Sequence, residues 1–260
     1  MKIVDGMNRT SRGGSWAACA LAGVLCAASA TGATPGAGAT VAGGAAADSI
    51  MLLGSSATAP AATGWTPAQQ AALLSIQQDW AKVNYEVAGE DRKGAGFEAL
   101  AQRAQSLVAA NPGRAEPLIW QGIVLSTWAG VKGGLGALSL AKQARDALEA
   151  ALKIDPSALE GSAYTSLGTL YYKVPGFPLG FGDDDKAGAL LTQALKLNPA
   201  GIDPNYFYAE YLFEQGQYSQ SLQYLDRAAH AAPRPGREVA DKGRQGEIAA
   251  LRAKVKSKLG

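Results

Sequence analysis

The chain has 260 residues, with 24 Lys and Arg against 22 Asp and Glu, two cysteines and one histidine. A formal net charge of +2 gives little general attraction for nucleic acid, and a single histidine excludes a His-His metal site. The length allows one large or two small domains.

The first thirty residues have the order of a secretory signal peptide. An uncharged stretch over 16–30, rich in Ala, Leu and Val, follows three basic residues and ends in Ala28-Ser29-Ala30. At about 1.5 Å per residue this stretch spans only about 23 Å, so a membrane-spanning helix is the weaker interpretation. We predict a signal peptide over 1–30, a periplasmic location, and no membrane association beyond that segment.

Loss of residues 1–30 would change the chemistry available to the chain. Cys19 and Cys26 both lie in this segment, so the mature protein would have no disulfide and no cysteine nucleophile. Leu25 stands where a lipid-anchored protein needs a small residue, which disfavours a lipid anchor. The segment also contains three bases and one acid, so 21 of each sign would remain. A neutral mature chain is not expected to bind nucleic acid.

Residues 31–64 are rich in Ala, Gly and Thr and have too few large side chains to offset the entropy of ordering, so we predict a flexible segment. A helical domain is predicted over 65–260. It begins with a Thr66-Pro67 cap and an apolar face that recurs at helical spacing through Leu73, Ile76 and Trp80. A second helix is predicted over 96–110, ending at Asn111-Pro112.

An internal repeat follows these two helices. Residues 147–156 return almost intact as 190–199, and a weaker third copy ends at Pro233. The copies share a small residue, a Leu four later, an Ala three later and a Pro five after that. They are Ala144, Leu148, Ala151, Pro156; Ala187, Leu191, Ala194, Pro199; and Ser221, Leu225, Ala228, Pro233. Such units cannot bury their apolar faces alone and must stack on one another.

Each copy is predicted to be the second helix of a pair, with Gly122, Gly168 and Ala209 on the first helices. This pattern resembles the tetratricopeptide repeat. The resemblance implies an all-α, right-handed helical solenoid that binds partner proteins. Pro199 and Pro233 are 34 residues apart, as that repeat requires, while the two earlier intervals are 44 and 43 residues.

The extra residues of the two longer repeats fall between paired helices, at 126–141 and 173–186. We predict two long loops that lie side by side on one face. A C-terminal helix over 238–259 should cap the stack, with Lys254, Lys256 and Lys258 on its solvated side. A helix that contacts an anionic membrane or a partner is the alternative.

No motif predicts catalysis, a cofactor or a metal. The glycine-rich stretch 131–136 lacks the Gly-Lys-Ser or Gly-Lys-Thr of a phosphate-binding loop. Asp183, Asp184 and Asp185 lack the spacing of a calcium loop and are better explained as a helix cap. We predict that the protein is not an enzyme; a hydrolase that uses acidic residues is the least favoured hypothesis.

Binding candidates are apolar and aromatic. The second predicted loop has Phe177, Leu179 and Phe181 on a backbone with two prolines and three glycines. These side chains either cover their own helices or line a groove for a ligand or partner. The aromatic residues predicted for the groove are Trp128, Tyr172, Tyr206, Tyr208 and Tyr211.

The Gly180-Phe181-Gly182-Asp183 insertion gives residues 111–237 a second resemblance, to the T component of tripartite periplasmic (TRAP) solute transporters. It implies a homo-oligomer and a periplasmic solute-binding protein as partner. We therefore predict a non-catalytic periplasmic adaptor that binds another envelope protein. The alternative is a TRAP-associated component that binds or passes a small apolar solute.

Overall fold

The computed structural model describes residues 64–260. The predicted signal peptide and all but the last residue of the predicted flexible segment lie outside this range. The described residues form α-helices and no strand, which confirms the all-α prediction. The helices are α1 (Pro67–Tyr85), α2 (Glu90–Ala110), α3 (Ala115–Lys132), α4 (Gly134–Ile154), α5 (Ala158–Lys173), α6 (Asp184–Leu197), α7 (Ile202–Glu214), α8 (Tyr218–Ala229) and α9 (Glu238–Leu259).

The first eight helices form four consecutive hairpins. Within each of the last three, the second helix packs along the first, and each hairpin contacts the next through α2 and α3, α4 and α5, or α6 and α7. The small, Leu and Ala positions of the repeat rule are all fully buried on the second helices. They are Ala144, Leu148, Ala151, Ala187, Leu191, Ala194, Ser221, Leu225 and Ala228. The repeat rule therefore identifies the buried face of the second helix in each hairpin.

Glycine on the first helix of a hairpin sets the distance between the paired helices. A β-carbon at Gly122 would lie 2.5 Å from Cγ of Leu148, and one at Gly168 would lie 2.8 Å from Cγ of Leu191. Both distances are well inside van der Waals contact. The leucine of each second helix therefore fills the space that a side chain would occupy on the first helix.

Two element boundaries differ from the sequence predictions. Helix α2 begins at Glu90 and not at 96, because the acidic pair Glu90 and Asp91 starts the helix after Gly89 and suits the positive end of its dipole. The prediction of an insertion loop over 126–141 is wrong. Helix α3 continues to Lys132 and α4 starts at Gly134, so the extra residues lengthen two helices. Only the second insertion forms a loop, so the prediction of two adjacent loops is also wrong.

The shortness of the α3 to α4 connection has a local cause. Gly133 and Gly134 both have positive φ angles, 61° and 59°, which a residue with a side chain adopts only at a cost in energy. This pair reverses the chain within one or two residues. The Ala and Leu residues that follow can then continue in a helix.

Helix α9 has the predicted bounds and buries Ile248, Leu251 and Val255. It packs on α8 as a cap, but it also reaches back to α1. The side chain of Gln78 on α1 donates a hydrogen bond of 3.2 Å to the carbonyl of Gly236, and Gly243 lies against the ring of Tyr85. The last helix of the stack therefore covers part of the first, and the row of hairpins curls around a central space.

Candidate binding cavity and exposed loop

The central space is a cavity of about 1900 Å³. Its walls come mainly from α1, α3, α5 and α7, the first helices of the four hairpins, together with the start of α9 and the loop over 174–183. Ligand cavities for small molecules are typically about 300–1,000 Å³. The cavity therefore has room for a sizeable organic molecule.

One wall of the cavity is aromatic. The rings of Trp80 and Trp120 meet edge to face at 6.0 Å, and Trp80 makes a similar contact of 5.8 Å with Tyr85. The indole nitrogen of Trp80 donates to the hydroxyl of Thr127 at 3.0 Å. These contacts join α1 to α3 and hold the rings at the cavity surface.

A charged network lies where α7 meets α9. Asp203 accepts from Arg234 at 2.6 Å and from Arg244 at 2.9 Å. Arg234 also pairs with Asp241 at 2.6 Å, and Arg244 also pairs with Glu247. Burial by itself would raise the pKa of Asp203, but the guanidinium groups of Arg244 and Arg234 outweigh it and hold that pKa at about 2. The network therefore keeps its carboxylate ionised and attaches the end of the chain to the last repeat.

Three buried polar atoms of residues that line the cavity lack hydrogen-bond partners within the described part of the chain. They are Nε of Arg237, Nε1 of Trp120 and Oδ1 of Asn84. Trp120 is 3% exposed and Asn84 is 4% exposed. Buried polar atoms are nearly always paired in folded proteins, so three unpaired ones beside one cavity require an explanation.

The loop between α5 and α6 displays two of the predicted apolar side chains. Phe177 is 93% exposed and Leu179 is 74% exposed, and both also border the mouth of the cavity. Phe181 instead turns back onto its own helices. Its ring meets that of Tyr171 at 5.5 Å, and the guanidinium of Arg145 lies 4.8 Å from the ring centre. In this loop Phe181 therefore packs against the helices, while Phe177 and Leu179 are exposed.

The loop backbone is held by internal hydrogen bonds. The amide of Gly182 donates to the carbonyl of Pro175 at 2.8 Å. The amide of Asp183 donates to the carbonyl of Tyr171 at the same distance. A β-carbon at Gly180 would clash with the carbonyl oxygen of Pro175, and one at Gly182 would clash with the carbonyl oxygen of Val174. Close packing of backbone on backbone thus fixes the loop that presents Phe177 and Leu179.

The remaining predicted aromatic residues lie in different places. Tyr172 borders the cavity, donates to Glu210 at 2.6 Å and contacts Tyr211, whose ring stacks on Tyr208. Tyr206 is buried beneath the guanidinium of Arg244 and belongs to the core. Trp128 is half-buried, packs against two clusters of buried core residues, and lies beneath Lys132. Of the eight predicted residues, the structure brings Tyr172, Phe177 and Leu179 to the cavity.

The acidic triplet at the start of α6 is a cap. The carboxylate of Asp183 accepts from the amide of Lys186 at 3.0 Å, and Asp184 and Asp185 occupy the first turn. Within residues 64–260, no group of three or more His, Cys, Asp or Glu residues is arranged to hold a metal ion. None of the helices described is both long and apolar enough to cross a membrane.

Comparison with known proteins agrees with the hairpin architecture. Residues 179–255 match the tetratricopeptide repeat family. The segment over 179–255 contains tetratricopeptide repeats. The matched segment starts in the loop before α6 and ends in α9, so it includes the hairpin of α7 and α8. No curated protein matches the chain in sequence.

Among solved structures, a thermophilic tetratricopeptide repeat protein of Thermus thermophilus is 18% identical, with a TM-score of 0.47 over 70% of this chain and 100% of that one. The crystal structure of MamA is 18% identical, with a TM-score of 0.38 over 66% and 95% of the two chains. A MamA fragment from Desulfovibrio magneticus is 13% identical, with a TM-score of 0.38 over 72% and 89%.

Sequence reasoning missed the residues that give the cavity its polarity. Asn84 stands one helical turn after Trp80, so its place on the inner face of α1 follows from the apolar spacing. Arg237 had no such signal, because it lies in the connection before α9. Its place in the cavity depends on the return of α9 to α1, which the tetratricopeptide repeat pattern does not encode.

Proposed function

We propose that this chain is a non-catalytic adaptor of the cell envelope that binds another protein through the loop over 174–183. The observation that carries this proposal is the exposure of Phe177 and Leu179 on a loop whose backbone is fixed by hydrogen bonds. A tetratricopeptide repeat fold supports a role in protein–protein interaction. The periplasmic location is supported by the signal-peptide pattern of residues 1–30.

Two physical points favour a protein partner at this loop. Two large apolar side chains displayed together on one loop form a candidate contact surface, because a partner would remove both of them from water. A loop that is already ordered loses less conformational entropy when it binds, so more of the energy of burial appears as affinity. An envelope protein with an apolar pocket for one or two side chains fits both points.

The test is capture of a partner from envelope extract by the wild-type protein and by a Phe177→Ala, Leu179→Ala double variant. The double variant is expected to lose the partner while keeping the melting temperature of the wild type. Ile154→Ala with Leu259→Ala is the matched control, because these side chains are apolar and exposed but lie off the loop. Equal recovery of one defined partner by the double variant would contradict the assignment of the loop.

A second candidate function, transport-associated binding of a small solute, is favoured by the size of the cavity. In this proposal the chain binds or passes a solute for a TRAP transporter, with a periplasmic solute-binding protein as partner and a homo-oligomer as the working form. Native mass spectrometry after gentle purification should then show a retained small molecule. A ligand-free mass at every oligomeric state would argue against it.

A further inference from the structure

Arg237 is a cation in the cavity wall whose neighbouring acids contact other arginines. Asp203 and Asp241 pair with Arg234, and Glu247 pairs with Arg244. Within residues 64–260, no carboxylate oxygen makes an ion pair with Arg237. Its one side-chain hydrogen bond is a long contact of 3.4 Å to Oε1 of Gln77. Arg237 is therefore a positive charge in the cavity wall that the described residues do not neutralise by contact. Lys93, which also lines the cavity, donates to the carbonyl of Asn84 at 2.7 Å.

The surroundings of Arg237 add a second unused donor and an apolar surface. Its guanidinium lies 5.1 Å from the centre of the Trp120 ring, and Nε1 of Trp120 is also without a partner. Trp80 meets Trp120 edge to face and extends the same wall. A ligand oxygen that bears negative charge would pair with the guanidinium of Arg237, whereas an apolar molecule would leave that charge without a partner.

We propose that the cavity binds a small organic anion, with its charged oxygens on the guanidinium of Arg237 and its aromatic or aliphatic body against Trp80 and Trp120. The proposal rests on the second candidate function only in that both place a solute in the cavity.

The electrostatics of Arg237 agree with this geometry. Burial lowers the pKa of Arg237, and repulsion from Arg234 lowers it further, while the more distant Asp203 and Asp241 raise it only in part. A ligand anion beside the guanidinium would raise the pKa of Arg237 again. The guanidinium of Arg237 therefore favours an anion beside it over a neutral molecule of the same shape.

The test uses two ligands of nearly equal shape, 4-phenylbutyrate and 4-phenylbutyramide, titrated into the full chain by calorimetry. The carboxylate is expected to bind with one site per chain and at least about tenfold more tightly than the amide. Inorganic phosphate, which lacks an apolar body, is expected not to displace it. Equal affinity for acid and amide, or no binding of the acid at concentrations of ~1 mM, would overturn the proposal.

Arg237→Met separates a ligand-binding role from a structural one. The variant keeps an apolar side chain over Trp120 and removes the charge, so the preference for acid over amide should vanish while the melting temperature stays level or rises. Arg103→Met is the matched control, since Arg103 is exposed on α2 and pairs with Asp79. A clear fall in the melting temperature of Arg237→Met, or an unchanged preference for the acid, would refute the anchor role.

These outcomes are distinguishable from failure of either candidate function. Capture of a protein partner through Phe177 and Leu179 does not depend on Arg237. A solute retained in native mass spectrometry that is neutral, together with no binding of phenylbutyrate, would support the second candidate function and reject the anion.

Discussion

Gly243 of α9 lies directly against the aromatic ring of Tyr85 at the end of α1. The ring occupies the space where a β-carbon at residue 243 would stand. This contact and the hydrogen bond from Gln78 to Gly236 join segments that are more than 150 residues apart in the chain. The closure that forms the cavity therefore depends on the absence of one side chain.

Gly243→Ala should weaken this closure. The added methyl group overlaps a ring that neighbouring residues hold in place, so we expect a loss of about 1–3 kcal/mol in the free energy of unfolding, measured by urea denaturation. Gly246→Ala on the same helix is the control, because nothing lies within 4 Å of its β-carbon position. That variant should gain up to about 1 kcal/mol from helix propensity. Equal effects of the two variants would show that α9 does not press on Tyr85.

Gly122→Ala tests the contact inside a hairpin. A methyl group at residue 122 meets Cγ of Leu148 at 2.5 Å, so α3 and α4 must move apart, and a loss of about 1–3 kcal/mol is expected. Gly130→Ala, two turns later on α3, has open space and should be neutral or stabilising. Thermal unfolding followed by circular dichroism would measure both, and a stabilised Gly122→Ala variant would contradict the packing described.

The repeat unit was predictable because its physical cause is local. A small residue, Leu and Ala at steps of four and three lie on one helical face, and Ala144, Leu148 and Ala151 all prove to be buried. The closure was not predictable, because it depends on contacts between helices that are distant in sequence. For the same reason the place of Arg237 could not be predicted, because its surroundings come from α1, α3 and the connection before α9.

The mistaken first loop has a different reason. Glycine-rich sequence predicts irregular structure, but Gly133 and Gly134 form only one tight turn between two helices. At the second insertion, Pro175 and Pro178 prevent the helix from continuing, so a loop forms as predicted. The displayed and anchored roles of Phe177 and Phe181 could not be separated without the path of that loop.

Asp203→Asn should change how stability depends on pH. The folded-state pKa of Asp203, about 2, lies below its ordinary value of 3.8, so the unfolded chain binds protons first as pH falls. The carboxylate therefore stabilises the wild type above pH ~4, and this contribution is lost as pH falls from about 4 to about 2. Because the carboxylate is partly exposed, we expect a contribution of about 1–2 kcal/mol.

The measurement is the free energy of unfolding in urea at several pH values between about 2 and 6. The Asn variant should be less stable near neutral pH and should show a shallower loss of stability on acidification. Identical pH profiles for the two proteins would mean that Asp203 is not the ionised centre of the network.

Asp183→Ala tests the cap of α6. Loss of the carboxylate leaves the amide of Lys186 without its acceptor, and we expect a decrease of about 1 kcal/mol in the free energy of unfolding. Asp183→Asn is the matched control, because its side-chain oxygen can still accept from that amide. If alanine and asparagine lower the melting temperature equally, charge and not the hydrogen bond is the main contribution of this residue.

A row of hairpins with free ends can fray from either end and can be extended by adding another unit. Here the terminal helices shield one another, so neither end is available for loss or growth. We therefore expect the described domain to denature as one cooperative body, and we expect that deleting α9 would loosen α1 at the other end of the described domain.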